Sequence, residues 1–107
     1  MDIPQISPRE LAARMAAEPE LVVLDVRPAE ERSLAVLPGS VSIPASQLIR
    51  RIDELDPDAP TVVLCHFGIR SMAAAALLLE RDFDEVCSLT GGLDLYAREV
   101  ASDIPRY

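Results

Sequence analysis

The sequence predicts an α/β fold, a parallel sheet with helices over both of its faces. Three observations carry this expectation. Leu21-Val22-Val23-Leu24-Asp25-Val26 and Thr61-Val62-Val63-Leu64-Cys65 are continuous apolar runs of strand length without polar alternation, as strands buried on both faces are. Stretches of helical character stand between such runs, and strands that alternate with helices imply parallel pairing through crossovers. The segments are separated by breaks rich in proline and glycine: Arg27-Pro28, Leu37-Pro38-Gly39-Ser40, Asp56-Pro57-Asp58-Ala59-Pro60 and Thr90-Gly91-Gly92.

Taken in order, Ile3-Pro4-Gln5-Ile6 reads as a short extended piece, with Pro4 suited to an edge strand. Ser7, Pro8 and Glu10 form a capping-box start with proline at the first helical position. The helix they open runs to Met15–Ala17 and buries Leu11, Met15 and Ala12. After the strand at 21–26, Ala29 to Ser33 reads as a short helical turn. Val41-Ser42-Ile43 is a short strand that Pro44 stops. A helix beginning at Ala45 or Ser46 carries Leu48, Ile49, Ile52 and Leu55 at helical spacing. Following the strand at 61–65, Ser71 to Glu80 is a strong helix former, rich in alanine and leucine. Val86-Cys87-Ser88-Leu89 is the last strand, and a helix from about Leu93 to Val100 precedes an irregular tail, Ser102 to Tyr107.

Composition limits what such a domain can bind. The 107 residues suit one domain, 1–107, with a single core that needs no staples. Half of the residues are apolar and only 4% aromatic, so that core is aliphatic. A net charge of −8 argues against nucleic acid and against anionic membranes, both of which need clustered Lys and Arg. An anionic ligand must therefore be attracted locally, by one arginine and a ring of N–H dipoles, within a screening length of roughly 8 Å. Cys65 and Cys87 make no disulfide framework. No basic-then-apolar leader is visible, and no apolar run approaches the roughly 20 residues of a membrane span. A soluble, reduced, cytoplasmic protein is expected.

Chemistry concentrates in Cys65-His66-Phe67-Gly68-Ile69-Arg70-Ser71. Ligands of parallel sheets bind beyond the carboxyl ends of the strands, and Cys65 stands at such an end. The cysteine faces a helix N-terminus, where N–H groups and the helix dipole favour negative charge and make a sulfur nucleophilic. Gly68 lets the backbone curl until several N–H groups converge into an anion nest. Arg70 offers a fork of donors to oxyanions, and Ser71 is placed to cap the following helix. Adjacent strand-end side chains point apart, so His66 is expected as an exposed loop residue rather than a participant. Cys87 reads as a packing residue, with a resolving thiol as the alternative. One histidine and two distant cysteines lack the spacing of a zinc site, and no metal is expected.

These residues carry a resemblance. Leu24-Asp25-Val26-Arg27 followed by Glu30 or Glu31, Leu37-Pro38-Gly39-Ser40-Val41-Ser42-Ile43-Pro44, the loop at 65–71, Leu89-Thr90-Gly91-Gly92-Leu93-Asp94 and terminal Pro105-Arg106-Tyr107 resemble, in order and spacing, the single-domain rhodanese sulfurtransferases. Departures are Ala35-Val36-Leu37, where the family often has Gly-His-Ile, and Leu95-Tyr96, where an aromatic residue, usually tryptophan, is common. The resemblance implies a five-stranded parallel sheet flanked by helices. It also implies a Cys65 that takes sulfane sulfur from a small anionic donor such as thiosulfate, and passes it to cyanide, a thiol or a protein. The loop from Cys65 to Arg70 would hold the anion with the N–H groups of its interior residues His66, Phe67, Gly68 and Ile69, together with Arg70 and Ser71. Asp25 and Arg27 are expected to tie the loop region by hydrogen bonds, and no cofactor is implied. Two rivals share the scaffold. A Cdc25-like phosphatase or arsenate reductase also begins its loop with cysteine and ends it with arginine, but phosphatase loops are one residue longer. A non-catalytic rhodanese-like binding module normally lacks the cysteine.

Overall fold

The structure, a computed structural model, describes residues 2–107. Five parallel strands form one sheet: β1 (Gln5–Ile6), β2 (Val22–Asp25), β3 (Val41–Ser42), β4 (Thr61–Leu64) and β5 (Val86–Leu89). Their order is β1-β5-β4-β2-β3, so the strand that delivers Cys65 is central. Asp25 lies opposite Leu64 and Ser42, and Val63 opposite Ser88, which gathers the carboxyl ends of the strands at one edge of the sheet.

The alternation of side chains along each strand divides the core into two layers. Val62 and Leu64 of β4 join Val23, Cys87 and Leu89 beneath α1 (Pro8–Ala17) and α5 (Gly92–Glu99). Val63 and Cys65 join Leu24 and Val86 beneath α3 (Leu48–Arg51) and α4 (Arg70–Glu80). Both layers are almost wholly aliphatic, as the composition requires. The inner strands β2, β4 and β5 therefore bury both faces, which explains their unbroken apolar runs, while Gln5 of β1 and Val41 of β3 stay exposed at the edges.

Local signals set most of the boundaries. Ser7 accepts from the Glu10 N–H while the Glu10 carboxylate accepts from the Ser7 N–H, and Pro8 occupies the first turn of α1. The turn after β2 is α2 (Ala29–Arg32). The segment expected as one helix from residue 45 comes in three pieces: a 3-10 turn (Ala45–Gln47), α3, and a second 3-10 turn (Ile52–Glu54). Leu48, Ile52 and Leu55 keep the expected spacing and pack against one layer of the core, whereas Ile49 is 61% exposed. The helix expected from Ser71 begins one residue earlier, at Arg70, and the last helix begins at Gly92. None of the helices among the described residues is long and apolar enough to cross a membrane.

The largest wholly buried side chain is charged. Arg27, just past β2, donates from Nε and Nη2 to the Asp25 carboxylate at 3.0 and 2.7 Å, from Nη2 to the Ala35 carbonyl at 2.6 Å and from Nη1 to the Tyr107 hydroxyl at 2.8 Å. Arg32 gives Asp25 a second guanidinium at 2.9 Å. Removing one partner of a buried pair leaves the other uncompensated. Arg27→Met, which keeps much of the volume, should lower unfolding free energy by about 3–5 kcal/mol in urea titrations. A loss below about 1 kcal/mol would show that Arg32 alone satisfies Asp25.

Candidate active site

Cys65 follows β4 directly, and its sulfur is buried at the base of the loop that leads into α4. Two backbone N–H groups converge on Sγ, from Gly68 at 3.2 Å and Ser71 at 3.3 Å. The thiol donates to the Ser71 hydroxyl at 3.4 Å, and this oxygen shares a hydrogen with the buried Ser88 hydroxyl at 2.7 Å. Sγ thus sits among backbone donors from both sides of the loop, with a two-hydroxyl chain behind it. Ser71 does not cap α4 as expected. Ile69 is the capping position, and Ser71, one residue inside the helix, turns its side chain inward to the sulfur.

The turn between β5 and α5 makes the floor of this loop. Leu93 N–H donates to the Cys65 carbonyl at 2.8 Å and Asp94 N–H to the His66 carbonyl at 3.0 Å, so the first turn of α5 finds its acceptors in the loop. The approach is close enough to demand glycine. At Gly92 (φ +64°), a Cβ would stand 2.4 Å from the His66 carbonyl oxygen; at Gly68 (φ +90°), one would stand 3.0 Å from the Gly91 nitrogen. The sequence marks Gly91-Gly92 as a tight turn, but nothing local in it points to the loop above.

His66 is not the exposed residue expected. Its ring lies between Phe67 and Tyr107, with centroids 3.8 Å away on each side, and Nε2 is buried without a hydrogen-bond partner. Phe67 and Ile69, by contrast, stand 57% and 78% exposed around the loop. Arg70 turns to α2, where Nη1 and Nη2 grip the two Glu31 carboxylate oxygens at 2.6 and 2.8 Å. The Tyr107 hydroxyl donates to Glu31 at 3.0 Å while accepting from Arg27. These bonds, Arg70's above all, overcome partial burial and hold the Glu31 carboxyl at about 2. The pairing stabilises the fold above about pH 4.5 and is lost only as pH falls toward about 2.

Cys87 is not brought to Cys65. It packs in the opposite layer of the core and lines a separate groove with Gln5, Glu10 and Arg14. Among the described residues, no three His, Cys, Asp or Glu side chains are grouped to hold a metal ion.

The family model of the rhodanese-like domain matches residues 7–99. This chain belongs to the rhodanese-like domain family. Within the family it is 33% identical over 99 residues to the thiosulfate sulfurtransferase GlpE of Pseudomonas paraeruginosa, a match covering 92% of this chain and 88% of that protein. It is 28% identical to a sulfurtransferase of Allochromatium vinosum, covering 88% of each. The rhodanese-related protein of Thermoplasma volcanium superposes with a TM-score of 0.82 at 28% identity, over 91% of this chain and 93% of that one. Other rhodanese-like relatives are longer, and the chain spans less than half the length of the first curated proteins it matches. The shared architecture is the five-stranded parallel α/β sheet that the sequence predicts.

Burial pushes the Cys87 thiol above its ordinary range, so it stays protonated near neutral pH. In Cys65→Ser protein, alkylation of Cys87 by iodoacetamide should be slow and should rise without levelling from about pH 7 to about pH 9. A plateau below about pH 8 would mean that this thiol is reactive and open to solvent.

Proposed function

We propose that this protein is a sulfurtransferase that carries sulfane sulfur as a persulfide on Cys65. The observation that supports this most directly is the convergence of the Gly68 and Ser71 N–H groups on Sγ, in a chain of the rhodanese-like family whose relatives include named sulfurtransferases. The reaction is covalent and ping-pong. With thiosulfate as donor, the Cys65 thiolate attacks the outer sulfur. A new S–S bond forms, the donor's S–S bond breaks, and its electron pair leaves with sulfite. The persulfide's terminal sulfur then carries the negative charge. A thiophilic acceptor (cyanide, a thiol or a protein thiolate) attacks that terminal sulfur and returns Cys65 as the thiolate.

The roles we assign rest on placement. Gly68 and Ser71 N–H groups favour anionic sulfur before and after transfer. With Sγ deprotonated, the Ser71 hydroxyl can turn its hydrogen to the sulfur while Ser88 donates to Ser71 in its place. Arg70 stabilises oxyanions of donor and leaving group once it releases Glu31. The remaining loop residues, His66, Phe67 and Ile69, form the walls that a donor or acceptor meets. Asp25 and Arg27 support the loop from beneath, through Glu31 and Tyr107. Donor and acceptor bind without nucleic acid or membrane, in a reducing, cytoplasmic setting, and residues 1–107 act as one domain.

Incubated with thiosulfate, the protein should gain one sulfur atom by intact mass spectrometry, and Cys65→Ser should gain none while melting at nearly the wild-type temperature. Sulfuration of Cys65→Ser, or turnover of p-nitrophenyl phosphate in place of thiosulfate, would overturn the assignment. Arg70→Ala should reduce kcat/KM for thiosulfate by about 10-fold, the worth of one charge-assisted hydrogen bond in the transition state. An unchanged value would remove Arg70 from donor recognition.

A further inference from the structure

Building on the reading of Cys65 as the sulfur carrier, we propose that Glu31 selects the class of sulfur donor. Its carboxylate fills the face of Arg70 that a sulfonate needs, and so disfavours small dianions such as thiosulfate relative to alkyl persulfides. Arg70 is the cation supplied by the loop itself, and both of its terminal nitrogens are committed to Glu31. Arg27 offers no substitute, because it is wholly buried and its donors go to Asp25, Ala35 and Tyr107. A dianion that seeks the paired Nη1–Nη2 edge of Arg70 must therefore displace a carboxylate of its own sign, on a chain that carries a net charge of −8.

An exposed ion pair free to rearrange would be a weak obstacle. This one is anchored. The Tyr107 hydroxyl donates to Glu31, Arg27 donates to that hydroxyl, and the Tyr107 ring is held flat against His66. Swinging Glu31 aside breaks the Tyr107 hydrogen bond as well as the ion pair. An alkyl persulfide, RS–SH, makes no such demand. The Cys65 thiolate attacks its outer sulfur, the new S–S bond forms as the old one breaks, and the electron pair leaves on RS⁻, which takes a proton from water. The exposed side chains of Phe67 and Ile69 suit the carbon skeleton of such a donor and carry no donor group for sulfonate oxygens.

Glu31→Gln preserves shape and removes the charge. In a Cys65→Ser background, where no sulfur moves, calorimetry should show thiosulfate bound about 3- to 20-fold more tightly after Glu31→Gln. With Cys65 present, single-turnover sulfuration by thiosulfate should accelerate by a similar factor, while sulfuration by 2-mercaptoethanol persulfide changes less than about 2-fold. Tyr107→Phe should move thiosulfate binding the same way by a smaller factor, and it carries the test should Glu31→Gln fail to fold. Unchanged or weaker thiosulfate binding in these variants would overturn the proposal, because Glu31 would then be orienting Arg70 for the donor. Tighter binding with no sulfur appearing on Cys65 from either donor would uphold the selection at Arg70 and end the sulfur-transfer reading.

Discussion

A guanidinium sealed from water must have its donors satisfied, and Arg27 is so sealed. That requirement organises the carboxyl edge of the sheet. It brings the Ala35 carbonyl inward, orients the Asp25 carboxylate and stations the Tyr107 hydroxyl where it can also reach Glu31. Glu31 in turn decides where Arg70 points. A chain of charge-assisted bonds thus runs from beneath the sheet edge to the last residue of the cysteine loop, and moving any member breaks its bond to the next.

The opposite flank of the loop is held by backbone rather than by charge. Cys65 and His66 present their carbonyls to the start of α5, and the absence of a side chain at Gly92 permits the approach. With the strand below, the glycine turn beside and the ion pair above, the loop between Cys65 and Arg70 is fixed at both ends. Its exposed middle, Phe67 and Ile69, remains available to whatever approaches. Such preorganisation fits the proposed sulfur carrier, because the Gly68 and Ser71 N–H groups already point at Sγ.

Much of this is legible along the chain. Apolar runs locate β2, β4 and β5 because strands buried on both faces leave no other pattern, and Ser7-Pro8-Glu10 marks the start of α1 through a bond confined to four neighbouring residues. Cys65 is legible because its surroundings are local: a strand end, a glycine, a helix start. The broken helix at 45–54 is not, since Leu48, Ile52 and Leu55 keep helical spacing despite its three pieces and the pattern alone reads as one helix. Ser71 reads as a cap because serine before an alanine run usually is one, and its inward turn depends on Ser88, remote in sequence. The parts played by Glu31 and Tyr107 are hidden for the same reason. Each acts across dozens of residues, and only the tertiary structure sets a tyrosine at position 107 against a histidine at position 66.

Strand order has a consequence for how the molecule comes into being. Gln5, at the very start, pairs with Ser88 on β5, and β5 then leads to the glycine turn beneath the loop. Pairings so remote in sequence form late, since the intervening chain must first be closed into a loop. During synthesis, β2 and β4 can meet once residue 64 has emerged, but the cradle around Cys65 has no floor until the first turn of α5 follows it out. A chain interrupted between Cys65 and that point presents its sulfur on an unsupported loop, open to exchange with any disulfide it meets. The surroundings of Cys65 are consequently complete only in the finished fold.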